Sequence, residues 1–290
     1  MRIAVASGKG GTGKTTVATN LARVAVDQGL RVQLLDCDVE EPNCSLFLPF
    51  RVERTAPVEL NVPRVDEAVC TRCGLCGEVC EFRAIVPLAT AVLVFAELCH
   101  SCGACTLLCP EQAIVEERRR TGEVQIGRAG DIRMVAGLLD VGETKAPPVI
   151  KAVKAHADPR ADLVVIDAPP GTSCPVIEAV RESDLVVLVA EPTPFGLHDL
   201  KLAVEAMRAL TRPFAVVANR ADVGDDALRA YCAREGIEIL LEIADDRAVA
   251  GASSRGELAV DVVPGYRERF SGLLAAVCQR GEQWTRAVTR

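Results

Sequence analysis

The sequence predicts an α/β protein, a doubly wound and mostly parallel sheet interrupted by a small cysteine-rich insertion. Three observations carry that prediction. Apolar runs of strand length recur along the chain, most followed by a segment with helical apolar spacing, the alternation that builds a parallel sheet covered by helices on both faces. The 290 residues are 49% hydrophobic yet only 3% aromatic, a Val/Ala/Leu-rich composition that suits strands buried on both sides. Eight of the 13 cysteines lie between Cys70 and Cys109, as two copies of C-x2-C-x2-C-x3-C in which each member of the second follows its counterpart by 29 residues, Cys70 to Cys99 for instance.

The elements follow in order. "RIAVAS" (Arg2 to Ser7) is a short apolar strand, and "TVATNLARVAVDQG" (Thr16 to Gly29) has helical spacing that ends on glycine. "RVQLLDCDVEEPN" is a strand ending in Asp36 and Asp38. The insertion then runs from about Asn61 to Arg118, charged "EERRR" (Glu116 to Arg120) marks the return, and "GEVQIGRAGDIRMVAGLL" predicts a hairpin. "ADLVVIDAPPGTSCPV" is a second buried strand, ending in Asp167; "DLVVLVAEPTPFGLHDLKLAVEAMRAL" is a strand and helix; "FAVVANRAD" is a strand ending in Asn219; "IEILLEI" is another. A last helix begins near Pro264, with Phe270, Leu274, Val277, Trp284 and Val288 at helical intervals and Arg267, Arg280, Arg286 and Arg290 nearby. Its apolar stripe is narrow and broken at Gly281, which favours packing on the sheet over lying on a membrane. The resulting division is residues 1–60 and 119–290 for the sheet and 61–118 for the insertion.

Composition narrows the function classes. A formal net charge of -7 and few aromatic rings argue against a nucleic acid as main partner. The chain opens on an apolar strand without a basic, signal-like leader, so a cytoplasmic protein is expected. The run Val86 to Ala96 is well short of the roughly 20 residues of a membrane-spanning helix and reads as core strand or helix. In a reducing compartment, clustered cysteines point to metal rather than disulfides.

"GKGGTGKT" (Gly8 to Thr15) fits G-x-x-x-x-G-K-[ST] and sits between strand and helix, the setting a phosphate-binding loop requires. Backbone N–H groups of Gly8, Gly10, Gly11, Thr12 and Gly13 would crowd round the β- and γ-phosphates, aided by the helix N-terminus. Lys14 would neutralise phosphate oxygens, the Thr15 hydroxyl would ligate Mg2+, and Thr16 is placed to touch the α-phosphate.

The cysteine spacing wraps three thiolates round the corners of a cubane, whereas one zinc usually takes two C-x-x-C pairs separated by a longer loop. Two [4Fe-4S] clusters are expected. The stretch resembles bacterial two-cluster ferredoxins, in which the fourth cysteine of each run crosses to the other cluster. That resemblance implies Cys70, Cys73, Cys76 and Cys109 for one cluster and Cys99, Cys102, Cys105 and Cys80 for the other, within a small inserted α+β domain. The proline that usually follows the fourth cysteine is present as Pro110 but replaced by Glu81 in the first run. His100 is read as a neighbour of the cluster loop.

Lys9 is a second lysine inside the glycine-rich loop, and "KGGTGKTT" resembles the deviant Walker A loop of the MinD/ParA/Mrp family, which includes the nitrogenase iron protein. The resemblance implies an ATP-dependent homodimer in which Lys9 reaches phosphates in the opposite subunit. It further implies Asp36 and Asp167 in the Mg2+ shell, Asp38 positioning the attacking water, Gly171 sensing the γ-phosphate and Asn219 reading the adenine edge. Asn219, Arg220 and Asp222 also imitate the N-K-x-D element of GTPases; the family likeness favours ATP, with Asp222 a loop acid. "EIADDRAVA" resembles the segment that frames the base. Cys174, seven residues beyond Asp167, has an offset like that of the interfacial cluster cysteine of the nitrogenase iron protein, but a structural thiol is the simpler reading. The C-x-x-C by which the Mrp branch holds a transferable cluster does not occur after Cys174.

The expected function is ATP binding and hydrolysis, with dimer changes gating electrons through the two clusters to a redox partner protein. The alternatives are a redox sensor or positioning ATPase and an iron-sulfur cluster carrier.

Overall fold

In the computed structural model, which describes residues 1–288, the chain forms a nine-stranded sheet in the order β11-β10-β9-β1-β8-β2-β7-β6-β3 and a separate two-stranded sheet. Arg290 and the side chains of Trp284, Arg286 and Val288 lie outside the described residues. The elements in chain order are β1 (Arg2–Ala6), α1 (Lys14–Asp27), β2 (Val32–Asp36), α2 (Cys44–Phe47), β3 (Arg51–Val65), α3 (Leu75–Glu78), β4 (Ile85–Pro87), β5 (Val92–Val94), α4 (Ala104–Leu107), β6 (Ile114–Ala129) and β7 (Ile132–Leu139). They continue with α5 (Pro147–Ala155), β8 (Leu163–Asp167), α6 (Cys174–Val180), β9 (Leu185–Ala190), α7 (Pro194–Ala209), β10 (Phe214–Asn219), α8 (Ala227–Arg234), β11 (Ile239–Ile243), α9 (Arg247–Ser254), α10 (Ala259–Val262) and α11 (Tyr266–Val288).

The strands from β11 to β7 pair in parallel, while β6 pairs antiparallel with both β7 and β3. Alternation along β1 shows why the sheet is covered twice: Ile3 and Val5 join one core with α1 and α11, Ala4 and Ala6 the other with α5 to α8. Phe270, Leu273, Leu274 and Val277 of α11 are buried in the first core, so this helix packs on the sheet as its spacing predicts. Burying one such side chain contributes about 1.5–3 kcal/mol. No helix among the described residues is long and apolar enough to cross a membrane.

The predicted hairpin is β6–β7, turning at Gly130, whose φ of 58° falls in the left-handed region. Beyond it, β3 and β6 form a long ribbon in which Asn61 pairs with Arg118. From the tip of this ribbon residues 66–113 project as loops. The run Val86 to Ala96 differs from the core strand or helix expected: it contributes to β4 and β5, two three-residue strands paired as a hairpin. The turn at residues 88–91 and the exposed Leu88 and Leu93 leave too little buried surface for one continuous element.

Candidate nucleotide site and cysteine loops

Seven parallel strands, β11 to β7 in the sheet order, deliver their C-terminal ends to one face, where the topology reverses around β1, the usual ligand position in open α/β sheets. Gly11 and Gly13 take left-handed φ values of 76° and 96°, and Gly13 forms the N-cap of α1 without a side-chain hydrogen bond. The first N–H groups of α1 therefore face the loop, the arrangement that binds phosphate. A Cβ on Gly8 would lie 2.3 Å from the Asp199 carbonyl oxygen, and one on Gly13 2.6 Å from Asn219 Nδ2, so both glycines are required by close approach.

Asp36 and Asp167 are register partners on β2 and β8, which sets two fully buried carboxylates side by side. Thr15 Oγ1 donates to Asp167 Oδ2 at 2.7 Å, and Cys44 Sγ donates to the same oxygen at 3.3 Å. The backbone N–H of Cys44 donates to Asp36 Oδ2 at 3.0 Å. Burial, reinforced by their mutual repulsion at Asp36, pushes both carboxyls up from the usual range. Asp167 Oδ1 is buried without a hydrogen-bond partner among the described residues. An all-oxygen pair of buried acids beside the Thr15 hydroxyl, with one oxygen unpartnered, fits a hard divalent cation such as Mg2+. Lys14 is buried too; loss of hydration lowers its pKa, opposed by Asp167 and Asp38. Asp38 is half-buried, and chiefly burial raises its pKa to about 6.

The remaining loop residues are held differently. Gly171, at φ 99°, donates its N–H to the Ser7 carbonyl at 3.0 Å. Lys9 Nζ lies 3.1 Å from Glu191 Oε2. Asn219 Nδ2 donates to the Thr12 carbonyl at 2.8 Å, and Asn219 lines a cleft of about 320 Å3 with Gly11, Gly13, Thr16, Arg220, Asp245 and Tyr266. Asp222 accepts the Asp245 N–H at 2.6 Å, the geometry of a loop brace. The segment resembling a base frame supplies Asp245, Asp246 and Val249 to that cleft.

Residues 66–113 gather the eight cysteines into two fours. One cavity is lined by Cys70, Cys73, Cys76 and Cys109, the other by Cys80, Cys99, Cys102 and Cys105, and all eight thiols are free. The 29-residue offset persists in the backbone. Arg72, Gly74 and Arg83 have positive φ, as do Ser101, Gly103 and Gln112, each 29 positions later (72 to 101, 74 to 103, 83 to 112); α3 and α4 are related in the same way. These left-handed turns curl the chain round the sulfurs. The N–H groups of Ala84, Ser101 and Ala113 donate to the Sγ atoms of Cys80, Cys99 and Cys109 at 3.3, 3.4 and 3.3 Å. Burial, and then neighbouring thiols, push the Cys76 and Cys105 thiols up. Four thiolates converging on one cavity need a cationic partner, and an all-sulfur set of four fits an iron-sulfur cluster. Glu81 is exposed, and His100 stacks on Phe82 with ring centroids 3.6 Å apart beside the second cavity. Cys174 is exposed at the first residue of α6.

Two residues of the nucleotide face go beyond the sequence reading. Cys44 touches both buried acids, which only the α2 fold-back brings about. Glu191 was legible in principle, because it follows an apolar strand as Asp36, Asp167 and Asn219 end theirs.

A first strand that runs through a glycine-rich loop into a helix, with acids at neighbouring strand ends, defines the P-loop class of nucleotide-binding α/β proteins. Within that class, the chain belongs to the CobQ/CobB/MinD/ParA nucleotide binding domain family, which matches residues 3–260. An uncharacterized protein of Methanocaldococcus jannaschii is 34% identical over 221 residues, covering 76% of this chain and 78% of its own. An iron-sulfur cluster carrier protein of Pyrococcus abyssi is 24% identical over 279 residues, 88% of this chain and 77% of its own. Among solved structures, the septum site-determining protein MinD of Pyrococcus horikoshii, complexed with Mg-ADP, superposes with a TM-score of 0.58 at 20% identity over 95% of each chain; that likeness concerns the fold.

Proposed function

We propose that the protein binds and hydrolyses ATP as a nucleotide-dependent homodimer and carries two [4Fe-4S] clusters whose electron exchange with a partner protein is gated by the nucleotide. The observation that carries this reading is the gathering of eight thiols into two fours on loops that leave the sheet between Asp38 and Asp167.

The chain's own groups have separable tasks. Backbone N–H groups of residues 10–13 and the Lys14 ammonium hold the phosphates, and Lys9 reaches those of the second subunit. Thr15, Asp36 and Asp167 would hold Mg2+, which when bound offsets phosphate charge. Asp38, with its carboxyl largely ionised at neutral pH, orients the attacking water, and Gly171 senses the γ-phosphate. Asn219 and its cleft take the adenine. Each cluster, when bound, supplies a site that takes up or gives back one electron. The N–H donors on Cys80, Cys99 and Cys109 favour the more negative, reduced form.

Gating is supported by a continuous set of contacts. Val39, next to Asp38, accepts the Leu139 N–H at 2.9 Å, and the Asp140 N–H donates to the Thr121 carbonyl at 3.1 Å. Lys145, at the end of the same loop, donates to the carbonyl of Glu97, two residues before Cys99. A displacement of the segment after Asp36 is thereby felt at the cysteine loops.

The test is an anaerobic redox titration followed by EPR without nucleotide, with Mg-ADP and with a non-hydrolysable ATP analogue. A shift of about 59 mV in a one-electron step corresponds to a tenfold coupling. Equal potentials in all three states would remove gating.

A second reading is iron-sulfur cluster delivery, supported by the carrier relative. It requires that reconstituted protein lose iron to an apo-acceptor at a rate that ATP changes.

A further inference from the structure

The Glu191 carboxylate follows β9 and is 8% exposed, yet it meets two cations on separate oxygens. Oε2 lies 3.1 Å from Lys9 Nζ, and Oε1 accepts from Arg220 Nη1 at 3.0 Å. The backbone around it is tightly set. Thr193 Oγ1 caps α7 by accepting the Gly196 N–H, and a Cβ on Gly196 would come within 2.3 Å of the Glu191 carbonyl oxygen. Ser7 Oγ donates to the Lys9 carbonyl at 2.5 Å, so both ends of the Lys9–Glu191 pair stand on fixed backbone.

We propose that Glu191 is a positioning residue for Lys9, holding its ammonium within its own protomer until nucleotide and a second subunit draw it away, with Arg220 keeping the buried carboxylate paired once Lys9 leaves. Reaching phosphates of a second subunit turns the Lys9 side chain away from its own protomer, so on the dimer reading a Lys9 that crosses gives up this pair. A buried carboxylate stripped of its only cation is strongly unfavourable. Arg220 removes that obstacle because it uses the other oxygen and is more exposed, 53% against 33% for Lys9. Arg220 also lies 3.5 Å from Asp245 on the rim of the base cleft, so the same guanidinium joins the Lys9 counterion to the cleft. The inference rests on the dimer reading for the destination of Lys9, but not for the pair itself.

Two measurements test it with the full-length, cluster-loaded protein. Competitive amine acylation, quantified at Lys9 by mass spectrometry without nucleotide, reads the pair. Sedimentation velocity against a non-hydrolysable ATP analogue with Mg2+ reads the dimer. Glu191→Gln should raise Lys9 labelling by roughly threefold or more and lower the half-saturating analogue concentration about 5- to 10-fold. Arg220→Ala should move labelling the other way, because Lys9 becomes the one cation paired with Glu191 among the described residues. In a Lys9→Gln background the effect of Glu191→Gln on dimerisation should vanish, which a general structural role of Glu191 would not produce. Unchanged Lys9 labelling in Glu191→Gln, or a dimer shift that persists in Lys9→Gln, overturns the proposal. Wild-type protein that binds the analogue and stays monomeric would sink the dimer reading, while labelling would still decide the pair.

Discussion

At the nucleotide face, Asp36, Asp167 and Glu191 are buried side chains at or just past the ends of β2, β8 and β9, and Lys14 is buried at the start of α1, all held by the two large apolar cores that flank the sheet. In residues 66–113 the reactive groups are themselves the packing. The small apolar clusters there consist of Val62, Ala84 and Cys99 in one and Ile85, Val92 and Ile114 in the other, with Cys70, Cys76, Cys80, Cys105 and Cys109 packed against them. The sheet can therefore strain its polar groups, because hydrophobic burial elsewhere holds them in place. The loops have no such reserve, and segments of this size usually need a metal to hold one conformation.

On the two-cluster proposal, removing iron is the largest expected effect and the sharpest test of this contrast. Amides of residues 70–110 should lose hydrogen-exchange protection almost entirely, while those of β1, α1, β2 and β8 keep theirs. Parallel melting of the nucleotide face would break the comparison. Asp38→Ala probes the other region: hydrolysis should fall by roughly 100-fold or more, by analogy with removal of one positioned polar group, with iron content unchanged. Full activity in that variant would take Asp38 out of the mechanism.

The two regions also differed in how far they could be read beforehand. A strand ending in Asp or Asn announces itself because the burial that makes the strand apolar stops at the ligand face, which is how Asp36, Asp167 and Asn219 were legible. The cysteines were legible through spacing and repetition, and the backbone carries the repeat in Arg72 and Ser101, Gly74 and Gly103. What escaped depends on chain reversal. Cys44 reaches Asp167 across 123 positions, and Lys9, after β1, reaches Glu191, after β9, because strands far apart in the chain are neighbours in the sheet. Neither pair leaves a local pattern. The pairing of β3 with β6 escaped for a related reason: its partners, such as Asn61 and Arg118, lie on either side of the cysteine loops, and stretches such as Arg51 to Thr55 and Val115 to Arg118 are exposed and mostly polar or charged.

Asp167→Asn tests the claim that the sheet tolerates unfavourable charge. The folded protein holds Asp36 and Asp167 with raised pKa values, so their contribution to stability is complete below the ordinary carboxyl pKa of about 4 and is lost as pH rises through the raised values. Replacing one acid should stabilise the Mg2+-free protein at neutral pH by about 1 kcal/mol, or roughly 2–4 °C in Tm, and flatten the loss with rising pH, while hydrolysis disappears. Calorimetry at several pH values reads the sign directly. A variant less stable than wild type would mean that Asp167 is favourably paired.

The smallest effect examines the repeat itself. Gly74 and Gly103 occupy equivalent left-handed positions, φ 91° and 72°, so alanine at either should cost about 1 kcal/mol through its backbone alone. Their surroundings are not equivalent. Among the described residues a Cβ on Gly74 meets nothing within 4 Å, whereas one on Gly103 meets Glu116 Oε1 at 3.2 Å, and that side chain also accepts from Asn61 Nδ2 through its other oxygen at 2.9 Å. If the two loops obey one backbone rule, the penalties, read from exchange of the loop amides under mild denaturant, should agree within about 0.5 kcal/mol, with Gly103→Ala the larger. A Gly74→Ala protein as stable as wild type would mean that the left-handed turn is incidental, and the twofold design of the cysteine loops would reduce to the spacing of the sulfurs.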